Sequence, residues 1–219
     1  HGSPVVIGIW DSGVDAACYT SAMWTNPGEI AGNNKDDDNN GFVDDVHGIA
    51  FDLEGRRTSG SLDDLSDLRH DRAVMQRYTK GFTDLTSNVA SPEADAVRKY
   101  LKSLKPEDVT PFTEDLGHFG SFAHGTHVAG IASAGNPYAR IVAARITFDH
   151  HAIPSITPNL EQTRREAQAA KDTVAYFRKA GVRVVNMSWG GSRAGIEEDL
   201  EKTAPKMSAD ERASLSREL

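Results

Sequence analysis

The sequence predicts an α/β domain in which a parallel β-sheet is flanked by helices, interrupted by a largely helical insertion. A continuous apolar, β-branched run at residues 4–10 and two further runs of similar character, at 140–146 and 182–188, carry most of this prediction. Such runs are typical of strands that are buried on both faces of a parallel sheet. A helical segment separates the last two runs, and strand, helix and strand in succession form a parallel βαβ unit.

The first strand ends in polar residues. Residues 4–10 (PVVIGIW) lead directly into Asp11, Ser12 and Gly13. A parallel sheet presents its functional side chains at the carboxyl ends of its strands, so Asp11 is well placed for chemistry. Gly13 allows the tight turn by which the chain leaves the sheet.

The segment before the last strand has the periodicity of one helix face. Its small and apolar side chains recur at spacings of three and four, at Leu160, Thr163, Ala167, Ala170, Val174 and Phe177. Gly181 supplies a helix stop before the strand. The tail from Ala194 onward is also predicted to be helical, and Ser208 and Glu211 have the spacing of a capping box.

Residues 55–118 form a charged, turn-rich stretch that lacks the apolar runs of the predicted strands. Two helices are predicted within it, at residues 65–78 and 91–104. The second begins with a Ser-Pro pair, a typical helix start, and the Lys-Pro pair that follows is expected to end it. We interpret the stretch as a surface insertion, so that residues 1–219 form one partial domain and not two folded domains.

Composition and charge narrow the classes of function. The formal net charge of −8 argues against nucleic acid as a partner, since phosphate binding needs clustered Lys and Arg. No apolar run approaches the roughly 20 residues that a membrane helix requires. The single cysteine, Cys18, excludes an internal disulfide and is expected to be a small buried residue, not a nucleophile.

Asp11 and His124 are the candidate catalytic residues. A carboxylate at a strand end can orient an imidazole, and a histidine in the first turn of a helix can serve as a general base. Taken alone, an Asp after a strand is more often a turn or cap residue, and His124 can equally be a capping or core histidine. His124 and His127, three apart on a helix, also allow a metal pair, although the spacing and the Glu of a zincin motif are absent.

Small residues after His124 predict a close helix contact. The phrase His-Gly-Thr-His-Val-Ala-Gly-Ile-Ala-Ser places Gly125, Ala129, Gly130 and Ala132 in one helical segment. Because these side chains have little bulk, the helix can pack very closely against a neighbouring element.

Ser188, Trp189 and Gly190 form a candidate substrate-binding segment. They follow the third predicted strand and lead into a Gly-rich turn. Gly190 lacks the side chain that would block another backbone, which suits an extended peptide docking alongside. Considered alone, the segment is an ordinary turn from a strand to a helix.

Together the three segments resemble the subtilisin-like serine proteases, the subtilases of peptidase family S8. The phrases Ile-Trp-Asp-Ser-Gly-Val-Asp and His-Gly-Thr-His-Val-Ala-Gly-Ile-Ala are highly specific for that family, and the segments occur in its chain order. The resemblance covers residues 4–52 and about 118–192, which correspond to the N-terminal part of the catalytic domain. By this match the general base is His124, not His127.

The resemblance implies an activity, partners and a location. Asp11 would be the triad aspartate and His124 the general base of a serine endopeptidase. Ser188, Trp189 and Gly190 match the strand edge that pairs with polypeptide substrates, and Trp189 would shape the preference for the residue before the cleaved bond. A propeptide or the rest of the domain is the implied partner, and a secreted, periplasmic or cell-surface location is expected.

The family's nucleophile has no counterpart in these residues. The family carries it in a Gly-Thr-Ser-x-Ala phrase downstream of the Ser-x-Gly segment, and no such phrase occurs here. The family's oxyanion asparagine lies in an Ala-Gly-Asn phrase that also follows the Ser-x-Gly segment. Asn136 follows Ala-Gly here, but it lies soon after His124 and before that segment, so the role is not assigned to it. The chain is therefore expected to supply only Asp11 and His124 and to be inactive alone. The alternative is a non-catalytic peptide-binding module, or pseudoprotease, with a calcium loop.

An acidic loop at residues 33–45 is a candidate calcium site. Asp36, Asp38 and Asn40 alternate before a glycine, as in the opening of a calcium loop, and Asp44 or Asp45 can complete the oxygen shell. The position of the bidentate Glu of an EF-hand holds a histidine, so the loop is not an EF-hand. The resemblance supports calcium, since related secreted subtilases carry a similar loop after an Asn-Pro-Gly-Glu segment. A solvated acidic turn is the alternative.

Overall fold

The structure, a computed structural model, describes residues 3–219. The chain divides into two compact units. The first runs to Asp63 and includes Ala123–Asp149 and Ile153–Leu219, and the second comprises Asp64–Phe122 and His150–Ala152. None of the helices in the described part of the chain is long and apolar enough to span a membrane.

The first unit contains a five-stranded sheet in the order β3-β2-β4-β1-β5. Its strands are β1 (Val5–Asp11), β2 (Gly48–Phe51), β3 (Arg57–Thr58), β4 (Ala139–Ile146) and β5 (Val184–Met187). Strand β1 pairs in parallel with β4 and β5, and β2 pairs in parallel with β4, whereas the short β3 is antiparallel to β2. The predicted α/β class with a mostly parallel sheet is confirmed.

Helices flank the sheet on both faces. Alternate side chains of each strand point to opposite faces, so apolar side chains on both faces need a helix to cover them. Six α-helices lie in residues 3–219, namely α1 (Arg72–Thr86), α2 (Pro92–Ser103), α3 (Pro106–Ser133), α4 (Leu160–Lys179), α5 (Arg193–Thr203) and α6 (Ala209–Leu215). Ile9 and Ile141 pack with Ala129 of α3 in one apolar cluster. Trp10 and Phe177 of α4 belong to a second cluster.

The predicted βαβ unit is confirmed as β4, α4 and β5, but the face that α4 buries differs from the predicted one. Val174 is half exposed, while Thr173 and Tyr176 are buried with Phe177. The helical spacing was therefore predicted correctly, but the buried face is rotated about the helix axis relative to the predicted face. Gly181 ends the segment with a φ of 75°, a conformation that favours glycine.

Helix α3 is longer than the sequence predicted, and this corrects the position of His124. A proline at 106 was expected to end the preceding helix, and it does follow the end of α2, but it also begins α3. Phe112, Leu116 and Phe119, at helical spacing, are all buried and extend the helix far upstream of the histidine. His124 therefore lies inside a helix of 28 residues and not in its first turn.

The second unit is built on α1, α2 and the first part of α3. Met75, Val97 and Phe112 are fully buried in it. The helix predicted at 91–104 is confirmed as α2, with the Ser91 side chain accepting a hydrogen bond from the Ala94 backbone. The helix predicted at 65–78 instead begins at Arg72, after an aspartate cap. The extent of the insertion, 55–118, stays a prediction.

Two smaller expectations have clear outcomes. The capping box of Ser208 and Glu211 is present at the start of α6 and is confirmed. Cys18 was expected to be buried, but it is exposed in a short 3-10 helix at Ala16–Tyr19. The expectation failed because Ala17 and Cys18 lie on the solvent side of this helix, while Ala16 and Tyr19 pack against the core.

Candidate active site

Asp11 and His124 meet in the first unit, although they lie far apart in the sequence. The Nδ1 atom of His124 donates to Oδ1 of Asp11 at 2.7 Å. The Asp11 side chain is 2% exposed and that of His124 is 48% exposed. A buried carboxylate thus holds one nitrogen of an imidazole that is otherwise about half exposed to solvent. A general base needs this arrangement.

Ser12 links the strand end to the helix and was not assigned a role from the sequence. Its backbone N–H donates to Asp11 Oδ1 at 2.7 Å, and its hydroxyl lies 3.1 Å from the same oxygen. The Gly125 N–H in turn donates to the Ser12 hydroxyl at 3.1 Å. Ser12 therefore fixes both the carboxylate and the helix segment that carries the imidazole.

Glycines allow the helix to approach the strand end closely, which confirms the prediction from the small residues. A Cβ atom at Gly125 would lie 2.2 Å from the Gly13 carbonyl oxygen, a distance that backbone atoms cannot accommodate. Gly13 itself has a φ of 112°, so its own turn favours glycine. Thr126 adds two hydrogen bonds at the same contact, accepting from the Asp15 N–H and the Tyr19 hydroxyl at 2.9 Å each.

Ser188, Trp189 and Gly190 lie beside the end of β1. Strand β5 pairs with β1 up to Trp10 and Met187, so Ser188 follows at the level of Asp11. The indole N–H of Trp189 donates to the Trp10 carbonyl oxygen at 2.8 Å. A Cβ atom built at Gly190 would meet no atom within 4 Å, so the segment is open to a ligand.

A cavity of about 290 Å³ opens beside this segment, and most of its lining residues were not singled out from the sequence. It lies at the carboxyl ends of β1, β2 and β4, where binding sites of α/β sheets occur. Aromatic and apolar side chains line much of it, including Trp10, Phe51, Phe148, Ala170 and Trp189.

A comparison with models of known protein families assigns the chain to a family. The model of the subtilase family, peptidase family S8, matches residues 2–216, which is nearly the whole chain. The chain belongs to the subtilase family. Comparison with curated proteins gives no match.

The metal pair of His124 and His127 finds no support in the subtilase. Among residues 3–219, two groups of at least three potential metal ligands lie close together, and neither includes His124 or His127. His124 instead uses Nδ1 for its bond to Asp11.

The acidic loop of the subtilase brings together only part of the predicted calcium set. Oxygens of Asp36 and Asp38 lie within 4.8 Å of each other and of Glu29, which the sequence interpretation did not include as a ligand. Its signal was present, since Glu29 closes the Asn-Pro-Gly-Glu segment. The backbone N–H of Asn40 donates to Asp36 and Asp38 at 3.0 and 3.1 Å, and its side-chain amide donates to Asp45 at 2.9 Å.

Asp44 has a different structural role from the one predicted. Its carboxylate accepts hydrogen bonds from the backbone N–H groups of Gly32, Asn33 and Asn34, at 2.8, 3.2 and 2.9 Å. Asp44 therefore holds the loop's backbone in place, and it is not among the carboxylates that group with Glu29.

Two partly buried carboxylates of the loop, Glu29 and Asp38, have pKa values shifted in opposite directions. Burial raises the pKa of Glu29 above its ordinary value, although the N–H groups of Asp37 and Asp38 donate to it. Burial would also raise the pKa of Asp38, but hydrogen bonds from Lys179 and Asn26 outweigh it and lower that pKa. The ammonium of Lys179 lies 2.9 Å from Asp38 Oδ2 and offsets part of the loop's negative charge.

Proposed function

We propose that this subtilase is a serine endopeptidase in which Asp11 orients His124 and His124 acts as the general base. The observation that carries the proposal is the 2.7 Å hydrogen bond between Asp11 Oδ1 and His124 Nδ1. With Nδ1 donating to the carboxylate, the free Nε2 atom is the one that can accept a proton. Family membership supports polypeptides as the substrates.

The reaction would follow the usual course of a Ser-His-Asp triad. His124 Nε2 takes the proton of a serine hydroxyl while the serine oxygen attacks the peptide carbonyl. The imidazolium then gives this proton to the leaving amine as the C–N bond breaks, which leaves an acyl-enzyme. Water repeats the sequence, releasing the acid and restoring the serine, while Asp11 stabilises the imidazolium in both halves.

The serine of this mechanism would lie outside the 219 residues. They contain no Gly-Thr-Ser-x-Ala phrase, and we propose that a downstream segment supplies it. On this proposal, residues 1–219 alone hydrolyse no peptide bond, because His124 then has no nucleophile to deprotonate.

The substrate would lie along Ser188, Trp189 and Gly190 as an extended strand. Support comes from the open space at Gly190 and from the level of this segment beside Asp11. The adjoining cavity has the size and apolar lining to take a substrate side chain, and Trp189 contributes to it.

A fluorophosphonate probe tests the proposal, since it forms a covalent bond with an activated serine. We expect the full-length protein to be labelled, and the His124→Ala variant and residues 1–219 alone to remain unlabelled. His127→Ala is the matched control and should be labelled normally, because His127 is exposed and takes no part in the Asp11 contact. An unlabelled full-length protein with intact fold would favour the non-catalytic peptide-binding alternative.

We also propose that the acidic loop binds calcium through Glu29, Asp36 and Asp38. Calcium prefers carboxylate oxygens, and three of them converge here. Glu29 Oε2 is shielded from solvent and accepts no hydrogen bond from the described residues, so a cation would satisfy a costly buried acceptor. Bound calcium would neutralise the mutual repulsion of the group and stabilise the loop.

Calcium is expected to raise the melting temperature by about 5–10 °C when its concentration is roughly 100 times its dissociation constant. Glu29→Gln and Asp36→Asn should abolish most of this rise, because each removes a charged ligand. Asp44→Asn is the control, and it should lower the melting temperature equally with calcium and with chelator. Equal melting temperatures of the unaltered chain in both buffers, at matched ionic strength, would refute the calcium site.

A further inference from the structure

The second unit holds a cluster of three histidines and an aspartate that the proposed protease mechanism does not use. Potential ligand atoms of Asp67, His150 and His151 all lie within 4.8 Å of one another. His118 joins the cluster, with its Nδ1 atom 3.0 Å from Asp67 Oδ1. These residues come from three distant parts of the sequence.

We propose that Asp67, His150 and His151 bind a divalent transition-metal ion, with zinc as the best match. Imidazole nitrogen and carboxylate oxygen are ordinary zinc ligands, whereas calcium prefers sites built from oxygen alone. The second group of potential ligands, Glu29 with Asp36 and Asp38, contains no nitrogen and so suits a different ion. Residues 3–219 therefore hold two candidate metal sites of different chemistry.

The geometry allows coordination after modest side-chain rotation. Zinc–ligand bonds of about 2.0–2.2 Å place the ligand atoms of a tetrahedral site roughly 3.4 Å apart. His150 Nε2 is already 3.4 Å from Asp67 Oδ2. The Asp67 side chain is 55% exposed and His151 is also exposed, so both can rotate to draw the group together.

His118 is best placed as a positioning residue and not as a ligand. Its ring stacks on that of His150 with centroids 3.9 Å apart and an interplanar angle of 3°. The lone pairs of parallel rings point in parallel directions, so these two imidazoles do not converge on one ion as they stand. His150 also stacks on His151, with centroids 4.2 Å apart and an interplanar angle of 29°, but His151 is exposed and can rotate, whereas His118 is buried. His118 is instead 6% exposed, holds Asp67 through Nδ1 and fixes the plane of His150.

Three protein ligands leave a fourth tetrahedral position for water. The proposal gives zinc a structural effect, because an ion held by Asp67, His150 and His151 joins segments that are distant in the chain. Metal binding of this kind stabilises the folded state over the unfolded state.

Zinc titration of the metal-free 219-residue chain, followed by calorimetry at neutral pH, tests the site. We expect about one bound zinc ion and, for His151→Ala and Asp67→Asn, a dissociation constant at least about tenfold higher. Both positions are exposed, and thermal unfolding without metal should show that both variants keep their fold. Cobalt is a second probe, since its visible absorption reports nitrogen ligation directly.

His127→Ala is the matched control, as an exposed histidine outside the cluster that should leave zinc binding unchanged. The site is refuted if the unaltered chain takes up no zinc, or if both cluster variants bind it as tightly as the unaltered chain. Loss of binding in His127→Ala alone would place the ion elsewhere. None of these results depends on peptidase activity, so the zinc site and the protease proposal can fail independently.

Discussion

Replacing Asp11 with Asn is expected to lower kcat of the full-length enzyme by about 10⁴-fold, the size of loss known for the same change in another Ser-His-Asp triad. Asp11 accepts the Nδ1 proton of His124 and so leaves Nε2 free to receive the serine proton. An amide can donate to Nδ1 instead, which holds the imidazole in the wrong tautomer. Steady-state hydrolysis of a peptide substrate measures the effect.

Asp15→Asn is the matched control for this prediction. Asp15 lies four residues further on, and its side chain caps the short 3-10 helix by accepting from the Ala17 N–H. It does not touch His124, so kcat should stay within a few-fold of the unaltered enzyme. A loss of less than tenfold in the Asp11 variant would show that the carboxylate does not orient the base.

Gly125→Ala is expected to reduce the free energy of unfolding by about 1–3 kcal/mol. The added Cβ would lie 2.2 Å from the Gly13 carbonyl oxygen, and backbone cannot move aside as a flexible side chain can. The helix must then shift away from the strand end, which also stretches the hydrogen bond from the Gly125 N–H to Ser12. Chemical denaturation of the 219-residue chain measures the change.

Gly117→Ala is the control in the same helix. Outside its chain neighbours and the backbone of its own helix, no atom lies within 4 Å of a Cβ atom built at Gly117, so alanine should gain up to about 1 kcal/mol from its better helix propensity. The two substitutions are chemically identical and are expected to have opposite signs. If Gly125→Ala also stabilised the protein, the close contact between helix and strand end would not exist in solution.

The sequence predicted the sheet where strands lie in apolar, β-branched runs or follow a periodic helix. Strands β1 and β4 lie in such runs, and β5, with only 4 residues, follows a helix of clear period that marks a βαβ unit. Strand β2 (Gly48–Phe51), also of 4 residues, was missed because it follows closely on the acidic loop and no periodic helix precedes it. It is recognisable only from its pairing with β4, a contact between distant segments.

The candidate active site was predictable where its residues belong to distinctive sequence motifs. Asp11 and His124 each lie in such a phrase, whereas the role of Ser12 depends on hydrogen bonds that only the folded chain creates. The position of His124 within its helix was wrong, because Phe112 and other buried side chains extend that helix upstream. The cluster around Asp67 joins segments whose sequences carry no shared motif, so periodicity and spacing could not reveal it.

The protonation of His124 provides the most direct test of the central claim, that a buried Asp11 carboxylate orients this imidazole. Nitrogen-15 NMR of the histidine-labelled chain at neutral pH distinguishes a proton on Nδ1 from one on Nε2. We expect the His124 proton on Nδ1 in the unaltered chain, and on Nε2, the form favoured by free imidazole side chains, in Asp11→Ala. If His124 shows the Nε2 form in both proteins, Asp11 does not hold it and the proposed triad is wrong.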